Sequence, residues 1–190
     1  MSLLDRAVEF AVEKHSGMHR KLDNSPYILH PMEVACIISR MTDDEEVLAA
    51  AMLHDTVEDT DATIEEIEEL FGSRVAMLVA SETEDKRPDI PRSESWAVRK
   101  EESLRELEKA KDPGVKMLWL GDKLSNMHSL YAVWKKRGGE VFSLFNQSDP
   151  AKQAKYYRRV GELLSSLRGY DEWKEYRWLV EKVFGEEPEE

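Results

Sequence analysis

The segment LHDTVEDT at residues 53–60 carries a histidine and three carboxylates directly after the apolar run VLAAAML. If this segment is helical, Asp55 lies three residues from Glu58 and four from Asp59, so the three carboxylates share one face with His54. Like charges at that spacing repel each other by about 0.2–0.5 kcal/mol per pair when solvated, and by more when partly buried. Because the preceding run is apolar, we expect partial burial, and therefore a positive group at this face.

His54 and Asp55 offer an imidazole nitrogen and a carboxylate oxygen, which are ligand types that divalent metal ions take from proteins. Two other positions strengthen this interpretation. His30 directly precedes a proline, which disfavours helical backbone at the residue before it, so we expect His30 just outside a helix start. Asp122 interrupts the apolar stretch WLGDKLSNM, and Asn126 follows one turn later on the same face. The sequence therefore predicts a metal site with ligands from three separate segments.

Structural explanations remain open for some of these residues. His30 alone is typical of a helix cap and Asp122 alone of a hydrogen-bonded acid, and Asp59 also suits a turn before the next helix. Glu58 has no such explanation. The sequence contains no HExxH motif, no EF-hand loop and no paired CxxC, so other common metal patterns do not fit.

Composition excludes several classes of function. With 39 acidic and 27 basic residues the net charge is −12, which argues against binding to nucleic acid or to an anionic membrane surface. Any anionic ligand therefore needs a local cluster of positive groups or a metal ion. The single cysteine, Cys36, fits a reducing compartment, and its apolar neighbours predict a buried structural residue. No stretch reaches the roughly 20 apolar residues of a membrane span, so we expect a cytoplasmic protein.

Helical periodicity runs through nearly the whole sequence, and no stretch alternates long enough for a sheet. This pattern predicts an all-α protein with a single domain over residues 1–185 and a frayed acidic tail at 186–190. We expect helices over residues 3–15, 31–41, 73–84, 96–111, 115–136, 150–168 and 171–184, and two more that start at the capping-box patterns Thr42 with Glu45 and Thr63 with Glu66.

Three segments closely resemble the motifs of one family, in the same order and at similar spacing. They are HSGMHRKLDNSPYILHP, AAMLHDTVEDT and LGDKLSNM. The family is that of the HD-superfamily hydrolases that act on the alarmone (p)ppGpp, which comprises the hydrolase domain of RelA/SpoT homologues and the stand-alone small alarmone hydrolases. HDTVEDT is the most specific part, because other HD phosphohydrolases share His-Asp but usually lack the following Glu-Asp.

This resemblance implies an HD-domain helical bundle that removes the 3′-pyrophosphate of ppGpp or pppGpp, yielding GDP or GTP and pyrophosphate. The implied ligands of one manganese ion are His30, His54, Asp55 and Asp122. The residues implied to handle the attacking water are Glu58 and Asp59. The implied substrate contacts are Arg20 and Lys21 at the nucleotide, Asn126 at the ribose side, and Lys86, Lys152 and Tyr156 at the distal phosphates.

The chain also departs from the family pattern. Gly121 stands where the family usually has alanine, and Met18 where glutamine is common. These changes leave the metal ligands intact and bear on nucleotide selection. Three alternatives stay open: another phosphorylated nucleotide, such as an adenosine alarmone or NADPH, a broader HD nucleotidase or phosphodiesterase, and a nucleotide-binding sensor without turnover. The base preference, the native metal (zinc and iron included) and the oligomeric state also stay open.

Overall fold

The computed structural model describes residues 1–85, 87 and 89–185. Within these residues the chain is helical apart from turns and one isolated bridge between His19 and Pro26, so the predicted all-α fold is confirmed. The α-helices are α1 (Leu3–Lys14), α2 (Leu29–Ile38), α3 (Glu45–Leu53), α4 (Thr56–Asp59), α5 (Ile64–Phe71), α6 (Ser73–Ala80), α7 (Arg92–Lys109), α8 (Pro113–Arg137), α9 (Pro150–Leu163) and α10 (Asp171–Phe184). Short 3₁₀ helices span Gly138–Leu144 and Ser165–Leu167. Lys86 and the predicted tail at 186–190 lie outside the described residues.

Helix α8 is the central element of the bundle. It packs against α2, α3, α6 and α10, and α1 covers α3 from the other side. Its side chains Leu118, Leu120, Leu124 and Met127 are completely buried. Since burying one such side chain contributes about 1.5–3 kcal/mol, this helix is a large part of the hydrophobic core. No described helix is long and apolar enough to cross a membrane.

Helices α2 and α8 approach each other closely at Gly121. A Cβ atom at this position would lie 2.7 Å from Cγ1 of Ile38 and 3.2 Å from Cγ1 of Val34. The alanine that the resembled family usually has would therefore force Ile38 to move. This close approach brings His30 on α2 next to Asp122 on α8.

The start of α2 differs from the prediction. The helix begins at Leu29 rather than Pro31, so His30 lies inside its first turn and not outside the helix. Proline is tolerated there because the first N–H groups of a helix have no intrahelical acceptor. Cys36 is exposed rather than buried, because it lies on the face of α2 opposite Val34.

The two predicted capping boxes have different outcomes. Thr63 caps α5 by accepting a hydrogen bond from the Glu66 N–H at 3.2 Å, which is one of the two bonds of the predicted capping box. Thr42 does not cap α3. That cap is Asp44, which accepts from the Glu46 N–H at 3.1 Å, while Thr42 accepts from the Asp44 N–H.

Candidate metal centre and substrate cavity

Three buried side chains from α2, α8 and the turn after α3 converge on one point. The Nε2 atoms of His30 and His54 lie 3.2 Å apart, and Asp122 Oδ1 lies 3.0 Å from the first and 3.6 Å from the second. The donor atoms of these three residues all lie within 4.8 Å of one another. Because each residue is at least 95% buried, water competes little for these donors.

Asp55 joins this cluster through a break in the helix. α3 ends at Leu53 and α4 begins at Thr56, so His54 and Asp55 occupy the turn between them. In a continuous helix the side chains of adjacent residues diverge by about 100°. Here Asp55 Oδ2 lies 3.2 Å from His54 Nε2 and 3.4 Å from His30 Nε2. The turn thus directs both side chains to the same point.

Hydrogen bonds on the far side of the rings orient the two imidazoles. His54 Nδ1 lies 2.8 Å from the Ala51 carbonyl oxygen, which only accepts, so Nδ1 carries the proton. His30 Nδ1 lies 2.9 Å from the Ser125 hydroxyl. Metal-bound histidines commonly make such contacts. Burial opposes a charge on His54, but Asp55 and Asp122 raise its pKa well above 6.5, so its Nε2 carries a proton that a metal ion would displace.

Both carboxylates of the cluster are ionised at neutral pH. Burial opposes ionisation, but His54 and His30 hold the pKa of Asp55 below its usual range. For Asp122, Lys123 and the same two histidines outweigh burial and hold the pKa well below the usual value. Two imidazole nitrogens and two charged carboxylate oxygens at one buried point fit a divalent metal ion.

Tyr27 links the cluster to the acidic pair on α4. Its hydroxyl oxygen lies 2.7 Å from Asp55 Oδ2 and 2.6 Å from Asp59 Oδ2. Burial and these two carboxylates raise the pKa of Tyr27, so the phenol keeps its proton and shares it between them. Sequence reasoning did not assign Tyr27. A signal was present, since Tyr27 lies one helical turn before His30 within the first motif.

A cavity of about 300 Å³ opens beside the cluster. Its acidic wall includes Glu58 and Asp59, and Glu58 Oε2 accepts a 3.4 Å hydrogen bond from the Glu84 N–H. The cavity also has a basic wall, which comes mainly from α7, a helix that sequence reasoning left unassigned. The cavity-lining cations are Arg20, Arg92, Arg99, Lys100 and Lys123.

The cations of the basic wall are held by carboxylates. Glu84 accepts hydrogen bonds from Arg99 at 2.6 Å and from Lys100 at 2.7 Å. Lys123 contacts Asp122 and lies 3.3 Å from Glu82 Oε2. Burial raises the pKa of Glu82 to about 8, although Lys123 works against this shift. Among the described residues, Glu82 Oε1 has no hydrogen-bond partner.

The family assignment follows from comparison with known proteins. A family model described as the HD domain matches residues 7–147, a span that contains all the residues that line the acidic side of the cavity. The chain belongs to the HD domain family.

Two relatives of this HD domain have names that state an enzymatic activity. A guanosine-3′,5′-bis(diphosphate) 3′-pyrophosphohydrolase of Aquifex aeolicus is 43% identical over 138 residues, which are 73% of this chain and 19% of that protein. A protein of the same name from Danio rerio, MESH1, is 41% identical over 132 residues, covering 68% of this chain and 69% of that one. The chain thus spans about a fifth of the bacterial relative and about two thirds of the fish relative.

A solved structure resembles this HD domain over nearly its full length. That structure is described as "A metazoan ortholog of SpoT hydrolyzes ppGpp and plays a role in starvation responses". The match has a TM-score of 0.76 and 27% identity, and covers 98% of both chains. The predicted family and the helical fold of an HD hydrolase are therefore confirmed.

The predicted substrate contacts of the HD domain fall into two groups. Arg20 donates to Asn126 at 2.9 Å, and Asn126 donates to Asp122 at 2.7 Å, so both are tied to the cluster. Lys21 lines a second cavity of about 470 Å³, which adjoins the first and shares Arg20 and Asn126 with it.

The remaining three predicted contacts are those with the distal phosphates. Tyr156 lines the cavity and is buried, and its hydroxyl has no hydrogen-bond partner among the described residues. Lys152 is exposed, and the cavity-lining residue of that turn is its neighbour Gln153. Lys86 lies outside the described residues, so its predicted role stays a prediction.

Proposed function

We propose that this HD domain removes the 3′-pyrophosphate of guanosine 3′,5′-bis(diphosphate), giving GDP and pyrophosphate, or GTP from pppGpp. The observation that carries the proposal is the convergence of His30, His54 and Asp122, with Asp55, in a cavity that also has an acidic pair and a basic wall. The names of the Danio rerio and Aquifex aeolicus relatives and the described activity of the similar metazoan structure support this choice of substrate. We place the reaction in the cytoplasm.

We assign manganese to the metal centre. The residues that would hold it are His30, His54, Asp55 and Asp122. Two imidazoles with two carboxylates, without a thiolate, suit manganese, and zinc and iron are the competing ions to test. When bound, the ion supplies Lewis acidity toward a phosphate oxygen and lowers the pKa of water.

We assign Glu58 and Asp59 to the attacking water. Both lie on the one-turn helix α4 and line the cavity next to the metal ligands. Carboxylates at this position orient the water and accept its proton as it attacks phosphorus. Tyr27, through its 2.6 Å hydrogen bond, holds Asp59 in place.

The substrate lies between the two walls in this proposal. Arg20 packs 5.8 Å above the Tyr27 ring and is anchored by Asn126, so its guanidinium plane is available to a base. The second cavity, which contains Lys21, accepts the nucleoside. The basic wall faces the other phosphates, and Tyr156, Lys86 and Lys152 remain their predicted partners.

Product analysis tests this proposal. The manganese-loaded protein is incubated separately with ppGpp, its adenosine analogue and NADPH, and the products are separated by ion exchange, with Asp55→Ala as the control. We expect pyrophosphate and GDP from ppGpp, and none from the variant. If only the adenosine analogue or NADPH is hydrolysed, that nucleotide replaces ppGpp as the proposed substrate. If the protein binds one of these nucleotides but hydrolyses none, the proposed enzymatic function is wrong and the nucleotide-binding sensor is favoured.

A further inference from the structure

A chain of hydrogen bonds runs from His30 across three helices. His30 Nδ1 lies 2.9 Å from Ser125 Oγ on α8, and that hydroxyl lies 2.6 Å from Glu33 Oε2 on α2. The other oxygen of Glu33 lies 2.8 Å from His128 Nδ1, and His128 Nε2 lies 3.0 Å from Glu175 on α10. The chain therefore extends from the buried metal centre to the protein surface.

The direction of the protons in this chain follows from the number of donors. A serine hydroxyl has one proton, and a carboxylate only accepts. The short distance between Ser125 and Glu33 is typical of a hydroxyl donating to a charged carboxylate. Ser125 can then only accept from His30, so Nδ1 of His30 must carry its proton and Nε2 must present its lone pair to the ion.

His128 stabilises the position of Glu33. Its two ring nitrogens each face a carboxylate, Glu33 and Glu175, so both donate and the ring is an imidazolium. Held on one oxygen by His128, Glu33 keeps the other turned toward Ser125. Through Glu175, α10 thereby contributes to the orientation of His30 on α2.

His30 differs in this respect from His54. His54 is oriented by the backbone carbonyl of Ala51, which no substitution of a side chain removes. His30 is oriented by the side chain of Ser125, which is completely buried within α8. Loss of that hydroxyl removes the acceptor of the His30 N–H and permits the other tautomer.

We propose that Ser125, Glu33 and His128 are positioning residues that fix the proton of His30 on Nδ1 and thereby set the affinity of the metal centre. The inference rests on the proposed metal site. Groups that orient metal-binding histidines commonly change metal affinity by about 10- to 100-fold when they are removed. We expect the strongest effect at Ser125, a weaker one at Glu33 and the weakest at His128.

Two measurements on the full chain test this inference. Manganese affinity is determined by titration of metal-free protein, with free ion detected by electron paramagnetic resonance. The tautomer of His30 is read from ¹⁵N–¹H correlation spectra of the histidine rings before metal is added. We expect Ser125→Ala to weaken manganese binding about 10-fold or more and to lose the pure Nδ1–H signature.

Tyr176→Phe is the matched control. It also removes one buried hydroxyl bond, which joins α10 to the Tyr157 carbonyl at 2.7 Å. We expect it to lower stability and leave both readouts unchanged. If Ser125 had only a structural role, Ser125→Ala would likewise lower stability and leave manganese affinity and the His30 tautomer unchanged.

The outcomes separate this inference from the proposed function. Wild-type affinity in Ser125→Ala, or an unchanged His30 tautomer, overturns the inference even if the enzyme hydrolyses ppGpp. Glu33→Ala provides the same readouts if Ser125→Ala does not fold, since Glu33 is partly exposed. If the wild-type protein binds no ion, the metal centre fails, and the tautomer measured in metal-free protein still decides whether Ser125 positions His30.

Discussion

The Tyr27 hydroxyl donates to Asp59 across 2.6 Å, which joins the loop before α2 to the one-turn helix α4. A helix this short cannot hold a catalytic carboxylate by its own hydrogen bonds, because most of its backbone groups lack intrahelical partners. Tyr27 supplies an attachment from a separate segment. It also reaches Asp55, so Asp55 and Asp59 share one donor.

We expect Tyr27→Phe to lower kcat for ppGpp even at saturating manganese. The ring and its stacking on His15 remain, and only the shared proton is lost. Hydrogen bonds to charged groups contribute about 1.5–3 kcal/mol, which corresponds to about 10- to 150-fold in rate. Steady-state kinetics at saturating manganese measure the effect. A wild-type kcat in the variant would mean that the position of the Asp59 carboxylate does not depend on Tyr27.

We expect substitutions of the metal ligands and of the acidic pair to have different effects. His54→Ala or Asp55→Ala should lose bound metal and activity together, because each removes a donor atom. Glu58→Ala should retain the metal and lose about 10²- to 10⁴-fold in rate, as is typical for removal of a general base. Metal content and kcat are measured on the same preparations. Loss of metal from the Glu58 variant would refute this division of roles.

The sequence predicted the residues of the buried cluster better than their surroundings. His54, Asp55 and Glu58 lie in a local motif, so their proximity depends mainly on one turn of chain. The wall formed by α7 was missed, because its arginines and lysines alternate with glutamates and have the pattern of a solvated helix. Only tertiary packing shows that Arg99 is 9% exposed and faces the cavity.

Gly121 is a single residue whose structural role could not be predicted from the sequence. Its difference from the family's usual alanine was visible in the sequence and was interpreted in terms of nucleotide selection. The structure gives a packing reason instead, since a Cβ atom would lie 2.7 Å from Ile38 Cγ1. Helix spacing is set by pairs of side chains from distant segments, and periodicity in one segment does not reveal it.

We expect Gly121→Ala to destabilise the protein. Overpacking costs about 1–3 kcal/mol, and the gain in helix propensity returns about 1 kcal/mol, so the net loss should be about 0–2 kcal/mol. Because the displaced Ile38 lies on the helix that carries His30, manganese affinity should fall as well. Denaturant unfolding and metal titration measure the two effects. Gly139→Ala is the control, since no atom lies within 4 Å of a Cβ there. Equal behaviour of the two variants would contradict the close-packing explanation.

We expect His128 to make stability depend on pH. The Glu33 hydrogen bond raises the pKa of His128 above 6.5, burial opposes this, and the Glu175 hydrogen bond adds to it. The folded protein therefore binds the proton more tightly than the unfolded chain. This contribution is complete below pH 6.5 and is lost as pH rises through the folded pKa.

The measurement compares the free energy of unfolding of the wild type and His128→Gln at several pH values. The difference between them should be larger at pH 6 than at pH 9. Comparing the two proteins cancels the titration of His30 and His54, which both contain. A difference that is constant with pH would show that His128 does not gain its charge on folding.

We expect Arg92→Met to raise KM for ppGpp with little change in kcat. Arg92 is exposed at the start of α7 and lines both the first cavity and the adjoining one, so its charge would face the proposed phosphorylated substrate in either cavity. Exposed charge pairs contribute little, and we expect an effect of about 2- to 5-fold on KM. It should shrink as salt is added, because salt screens exposed charges. Arg105→Met is the matched control, since Arg105 lies on the same helix, pairs with Glu101 and lines neither cavity. If both variants raise KM equally, the general charge of the protein is responsible, and α7 has no local role in binding phosphate.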